Sequence, residues 1–294
     1  MANVHEYAYF DGKVGLFKDA NLSIGSSAVL YGLSVYTVFY AIPDKGNFRV
    51  FRLEKHYNRL RLSAKIIGLE WPKSLDFEAF KQITKELLKA NGPTGDVFVR
   101  ATLHADGLVP GTKSKGVHTQ LSAFVYDAEP IVKKEGVRLK TSQWRRIPDN
   151  SIPSRAKVNG AYVNSVLAKQ DALDAGYDDC IFLDLSGHVC ELSAANIFMV
   201  RGGTLITPDT SSDLLEGINR QAILEMAREQ GILVEERAID LTELYIADEV
   251  FVCGTSAFVA SVSEIDGRMI DGPGPITKKL SDLHSYELKN GDIL

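Results

Sequence analysis

Between Tyr7 and Phe51 the chain gathers Tyr, Val and Phe into short runs separated by Asp11-Gly12 and Asp44-Lys45-Gly46. Such runs are too short for helices and end on residues that favour tight turns, so this stretch reads as strands joined by hairpins. Beyond it the apolar spacing becomes helical. Leu53 to Ile67 carries Leu60, Ile66 and Ile67 among basic residues, and Phe77 to Ala90 repeats Phe80, Ile83 and Leu87 until Asn91-Gly92-Pro93 stops it. Val97 to Leu103 and Thr119 to Tyr126 return to strand patterning around the polar loop Ala105 to Gly116.

The fold class that follows is α/β, with a small α+β domain over residues 1–126 and a larger α/β domain over residues 137–294. Residues 127–136 hold charges and a Pro without periodicity, and read as the linker between them. The second domain alternates strands such as Cys180 to Leu185, Ile197 to Val200 and Glu249 to Cys253 with helices at Gly160 to Ala175 and Ile218 to Gln230.

Composition excludes several functions. A length of 294 residues, 45% of them hydrophobic, supports a substantial core, and a net charge of -5 without like-charge blocks gives no footprint for nucleic acid. No apolar run approaches the roughly 18 residues of a membrane helix, and the N-terminus lacks a basic stretch followed by an apolar core. A soluble, unprocessed protein is expected. Three cysteines without CxxC spacing suggest neither a disulfide framework nor zinc and fit a reducing cytoplasm; six scattered histidines suggest no metal site. The run Gly107 to Ser114 resembles a phosphate-binding loop but lacks its adjacent Gly-Lys, and neither GxSxG nor a strand-borne GxGxxG occurs.

Several segments of the second half carry residues of chemical interest. Lys157 stands among small residues just ahead of the helix that bears Tyr162; alone, it reads as a surface charge. Glu191 lies between the turn Ser186-Gly187-His188 and the run Ser193-Ala194-Ala195-Asn196. Gly217-Ile218-Asn219-Arg220 opens a helix, whose free backbone N–H groups form a natural phosphate site. Gly254-Thr255-Ser256-Ala257 follows an apolar strand and could line a pocket at its end.

Taken together with Phe51-Arg-Leu-Glu-Lys-His56-Tyr-Asn-Arg59-Leu60, Glu216-Gly-Ile-Asn-Arg220 and Leu244 to Thr255, these segments resemble the class IV (fold type IV) aminotransferases. That family includes branched-chain and D-amino acid aminotransferases, (R)-selective amine transaminases and aminodeoxychorismate lyase, and the resemblance spans nearly the whole chain. It implies pyridoxal 5'-phosphate as cofactor, held by Lys157 as a Schiff base. Lys157 would later move the proton between the substrate α-carbon and the cofactor. Glu191 would pair with the pyridine nitrogen and Tyr162 with the ring's 3-oxygen. Arg59, the amides of Ile218 and Asn219 and the hydroxyl of Thr255 would hold the phosphate.

On the substrate side the resemblance implies Tyr31, Tyr36, Arg100 and Tyr126 as pocket walls, with Tyr31 coming from the second subunit of a homodimer, and Ser256 and Ala257 as amide donors to a carboxylate. Read without it, the tyrosines are equally plain aromatic packing. Branched-chain enzymes usually show Phe-Glu-Gly-x-Arg where this chain has Tyr36-Thr37-Val38-Phe39-Tyr40, whereas Tyr31 matches them. The D-amino acid enzymes carry Arg-x-His, and here Arg100 precedes His104 by four residues, which a strand puts on one face. The first expectation is therefore amino transfer between branched-chain L-amino acids and 2-oxoglutarate. An (R)-amine or D-amino acid transaminase is the alternative, and an aminodeoxychorismate lyase a further one.

Overall fold

In the computed structural model, which describes residues 3–108, 111–129 and 136–294, both early turn signals close hairpins. Asp11-Gly12 joins β1 (Val4–Phe10) to β2 (Lys13–Leu16) with φ of 52° and 75°. After the short helix α1 (Ser27–Tyr31), Lys45-Gly46 joins β3 (Ser34–Asp44) to β4 (Asn47–Val50) with φ of 48° and 83°. Two positive φ values in succession make a turn whose twist matches the strands it joins. Helices α2 (Leu53–Ile66) and α3 (Phe77–Asn91) follow, α3 capped by the Asp76 carboxylate and ended by Gly92 at φ 50°. Strands β5 (Val97–Ala105) and β6 (Thr119–Asp127) then pair with each other and complete the first stretch.

The chain divides into two units. The first comprises Met1–Glu129, Ala156–Gly160 and Glu287–Leu294, the second Pro130–Arg155 and Ala161–Tyr286. Two returns of the chain to the first unit interrupt what the sequence reads as one domain from residue 137. Backbone pairing explains both, since Tyr36 donates to the Lys157 carbonyl at 3.0 Å and the C-terminal strand Asp292–Ile293 pairs with β4. Six residues of the expected linker, 130–135, lie outside the described residues, as do residues 109 and 110 of the Gly107 to Ser114 run.

Among the described residues, the first unit's sheet runs Asp292–Ile293, β4, β3, β5, β6, β1, β2. The register gives its two faces different characters. Val35, Thr37, Phe39 and Ala41 alternate with the buried Val97, Val99, Ala101 and Leu103 on the side where Phe39 meets Phe80 of α3 at 6.0 Å. Ser34, Tyr36, Val38, Tyr40, Phe98, Arg100, Thr102 and His104 point the other way.

The second unit contains β7 (Val137–Thr141), α4 (Tyr162–Asp174), β8 (Asp179–Leu183), β9 (Val189–Leu192), β10 (Asn196–Arg201), β11 (Thr204–Thr207), α5 (Ile218–Glu229), β12 (Val234–Glu236), α6 (Leu241–Leu244), β13 (Glu249–Gly254), β14 (Phe258–Ile265), β15 (Arg268–Met269) and α7 (Pro275–Lys289) up to Tyr286. Its sheet order is β12, β11, β10, β13, β14, β7, β8, β9, with β15 paired to β14. Strands β10 and β13 are buried on both faces, which is why their sequences are nearly unbroken apolar runs. Ile197, Met199, Val250 and Val252 enter one core cluster, while the paired Phe198 and Phe251 stack at 5.0 Å with an interplanar angle of 3°. Among the described residues, no helix is long and apolar enough to cross a membrane.

Phe251→Ala deletes one ring of a fully buried stack and should destabilise the protein by about 3–5 kcal/mol. Denaturant unfolding measures this, and an unchanged midpoint would mean the cavity refills.

Candidate active site

In the first unit, Lys157 is fixed by its backbone. Its carbonyl accepts from Tyr36, its own N–H donates to Ser63 Oγ at 3.1 Å, Val158 bridges Val35, and the Gly160 N–H reaches the Gly32 carbonyl at 3.2 Å. Small residues are required at that crossing: Gly32 has φ 63°, and a Cβ on it would lie 2.9 Å from Gly160 Cα. The lysine ammonium sits 4.9 Å from the centre of the Tyr36 ring, and the Arg100 guanidinium lies over the same ring at 3.7 Å. Asn159 steadies that arginine, accepting from its Nη2 at 3.0 Å while donating to Ser34 Oγ at 2.7 Å.

Arg59, on α2, donates from Nη2 to Thr37 Oγ1 at 3.2 Å. The same hydroxyl, which accepts from the arginine, lies 2.7 Å from Nδ1 of the buried His56 and is hydrogen-bonded to it. Burial first, then the Arg59 and Lys157 charges, hold His56 well below the usual histidine range and keep it neutral.

The open face of the first sheet carries the expected substrate residues Tyr36, Arg100 and Tyr126. Tyr126 lies 5.5 Å from Phe98 and 5.9 Å from Phe124, and burial raises its hydroxyl pKa. Tyr40 on this face donates to the Asp96 carboxylate. Tyr31 ends α1 and is 47% exposed.

In the second unit, Glu191 lies buried on β9, and donors reach both of its carboxylate oxygens. Arg146 Nη2 approaches Oε1 at 2.9 Å; Asn196 Nδ2 and the Leu215 N–H each reach Oε2 at 3.2 Å. Helix α5 begins three residues after Leu215, and its N-cap Gly217 makes no side-chain cap to the first turn. Ile218 and Asn219 are nonetheless buried. A buried, uncapped N-terminus leaves backbone N–H groups and the helix dipole ready for an anion. The Asn219 side chain turns away to His284, whose Nε2 lies 2.6 Å from its Oδ1. Tyr162 opens α4, half-buried, and Thr255, Ser256 and Ala257 form the turn between β13 and β14.

Residues 34–265 match the family model described as amino-transferase class IV. The chain belongs to the class IV aminotransferases. It is 33% identical to the branched-chain-amino-acid aminotransferase of Pseudomonas aeruginosa, across 99% of this chain and 95% of that protein. Its structure matches the branched-chain aminotransferase of Thermoproteus uzoniensis solved with norvaline at a TM-score of 0.93, with 34% identity over 98% of this chain and 96% of that one. It also matches the branched-chain amino acid aminotransferase of Thermobaculum terrenum in its PLP-form, at 0.89 and 31% over 98% and 95%. The enzyme is thus an aminotransferase of fold type IV that depends on pyridoxal 5'-phosphate, as the sequence motifs imply.

The donor set fits that cofactor. A buried carboxylate suits a ring nitrogen, an uncapped buried helix end suits a phosphate, and a backbone-anchored lysine suits a covalent bond to an aldehyde carbon. Sequence reasoning assigned no role to Arg146, Asn196, His56 or Asn159. His56 and Asn196 stand inside the family motifs, whereas Arg146 lies in Trp144-Arg145-Arg146, which carries no signal of its own.

His104 sets a pH dependence. Burial, with Arg100 pushing the same way, lowers its imidazole to about 4. The unfolded chain therefore binds a proton below about 6.5 that the folded one refuses, and stability present above that pH is lost as pH falls, by up to about 3 kcal/mol. The melting temperature should drop between about pH 7 and about pH 5, and drop less in His104→Gln; an identical drop in both would assign the effect to other groups.

Proposed function

We propose that the enzyme moves amino groups between branched-chain L-amino acids and 2-oxoglutarate. The observation that carries this reading is the agreement of relatives over nearly the full chain, all named for branched-chain substrates. The open face of the first sheet supports it, since Tyr36, Val38, Phe98 and Tyr126 present an apolar and aromatic surface with Arg100 as a cation for a carboxylate. Tyr40, where branched-chain enzymes usually carry arginine, favours a second reading as an (R)-amine or D-amino acid transaminase.

Bound pyridoxal phosphate supplies an electron sink for the pair left when the donor's Cα–H bond breaks. The chain's own residues do the rest. Lys157 Nζ would be the covalent anchor and, once released and neutral, the base that takes the α-proton and carries it to the C4′ carbon of the cofactor. Glu191 keeps a proton on the ring nitrogen, and Tyr162 donates to the ring's 3-oxygen. Arg59, the Ile218 and Asn219 amides and Thr255 hold the phosphate, with Thr37 and the neutral His56 orienting Arg59. The Ser256 and Ala257 amides meet the substrate carboxylate, while Tyr36, Arg100, Tyr126 and the partner subunit's Tyr31 enclose its side chain.

A homodimer is part of the proposal. The buried stripe of α4, Ser165, Ala168 and Ala172, is composed of small residues, while Val163, Val166, Leu167 and Leu173 on its other side are 40–64% exposed. An apolar stripe at helical spacing suits a two-fold interface with a second copy of the chain. The cytoplasm suits the three buried free thiols, Cys253 being pushed up to about 12 by burial.

Three measurements test these statements. Single-turnover absorbance changes should be fast with L-leucine and L-glutamate and slow with D-alanine and (R)-1-phenylethylamine. Reaction with the last and none with L-leucine would install the second reading, and pyruvate release without an acceptor would indicate a lyase. Lys157→Ala should lose the protein's yellow colour and about 10²–10⁴-fold or more in turnover; retained turnover would place the chemistry on another residue. The double variant Val163→Glu, Val166→Glu should sediment as a monomer, and an unchanged dimer would remove α4 from the interface.

A further inference from the structure

Asn196 begins β10 and is 5% exposed. Both hydrogens of its amide are used: Nδ2 donates to Glu191 Oε2 at 3.2 Å and to the Leu215 carbonyl at 3.0 Å. The N–H of that same Leu215 donates to the same carboxylate oxygen at 3.2 Å. Glu191, Asn196 and the Leu215 peptide groups thus close a ring of hydrogen bonds. The remaining polar atom, Oδ1, lies against Gly217, where any Cβ would collide with it. Gly217 is the N-cap of α5, and its φ of -66° and ψ of 138° suit any residue, so its glycine answers to the close approach of Asn196 and not to a backbone need.

One buried side chain therefore touches both features of the second unit that suit the cofactor: the carboxylate for the ring nitrogen and the last residue before the helix end for the phosphate. We propose that Asn196 is a positioning residue, setting the separation of Glu191 from the N-terminus of α5 and so the length and polarity of molecule the enzyme holds between them. This rests on the cofactor placement proposed above. Arg146 grips the other oxygen, Oε1, at 2.9 Å, so the carboxylate cannot swing to compensate for a lost donor on Oε2 without breaking that pair.

Two holoenzyme variants perturb the contact from opposite sides. Asn196→Ala deletes the amide; Gly217→Ala keeps it and drives a methyl group into Oδ1. Losing a donor makes Glu191 more basic and the ring nitrogen less firmly protonated, so the pH at which the bound cofactor changes colour should move upward in both. Both should also release cofactor on dialysis more readily, with the dissociation constant raised about tenfold, the factor that one hydrogen bond to a charged group is worth. KM for L-leucine should stay within about twofold while kcat falls, because Asn196 touches no substrate.

A purely architectural asparagine would lower the melting temperature and leave the colour transition and the dissociation constant where the parent has them. That result in both variants overturns the proposal, as does failure of both to fold with cofactor present, which would make Asn196 a folding residue. A parent protein without the visible band would overturn the cofactor placement itself. A parent with the band and variants indistinguishable from it would overturn only the role of Asn196.

Discussion

A lysine side chain has four rotatable carbons and about 2 kcal/mol of rotamer entropy, so an amine that must meet one carbon atom has to be held from its backbone. The stretch Ala156–Gly160 meets this constraint by joining the first unit's sheet as a fragment of extra strand. The Tyr36 N–H, the Ser63 hydroxyl, the Val35 bridge and the Gly32 carbonyl grip successive residues from Lys157 to Gly160. Much else follows. Gly32 must be small for the fragment to come close, Asn159 is placed to hold Arg100, and α4 begins as soon as the fragment ends, carrying Tyr162 as its first residue.

Bringing Lys157, Arg59 and Arg100 into one half-buried region of the first unit sets a problem of like charges. Part of the answer is the choice of neighbours. The ring of Tyr36 offers its negative face to both Arg100 and Lys157, and Thr37 offers an oxygen to Arg59. The other part is that His56, surrounded by the same cations, stays neutral and adds no charge of its own. The second unit has the complementary arrangement: one buried carboxylate ringed by donors, and one helix end rich in N–H groups.

Local pattern made much of this legible. Hairpins follow from Asp11-Gly12 and Lys45-Gly46, the end of α3 from Gly92, and buried strands from unbroken apolar runs such as Ile197 to Val200. The helices α2, α3 and α5 fall within one residue of the ranges their spacing predicts. What local pattern lacks is any record of pairings distant in sequence. The return of Ala156–Gly160 to β3 depends on hydrogen bonds that any residues could make, and three- and four-residue strands such as β11 and β12 are too short to show alternation. The residues around Glu191 were hidden for a similar reason. Nothing in Trp144-Arg145-Arg146 marks the second arginine as the one whose guanidinium lies buried against a carboxylate 45 positions on.

The register of β3 also divides the atypical Tyr36 to Tyr40 segment into two independent changes. Thr37 and Phe39 point toward the helices, where Thr37 serves His56 and Arg59, so on the proposed function a residue there bears on cofactor phosphate and not on substrate. Tyr36, Val38 and Tyr40 share the open face. Tyr36 lies under Arg100, and Tyr40 is tied to Asp96 with its ring 5.8 Å from Phe98, which commits its hydroxyl to a carboxylate of the chain itself and adds its ring to the aromatic surface. Relative to Phe-Glu-Gly-x-Arg, the substrate face thus loses a charge at position 40 and gains bulk at position 38, and Arg100 stays as the cation of that face. On the proposed function, selectivity among amino donors then falls to Val38 and Tyr40, while Thr37 answers to His56 and Arg59.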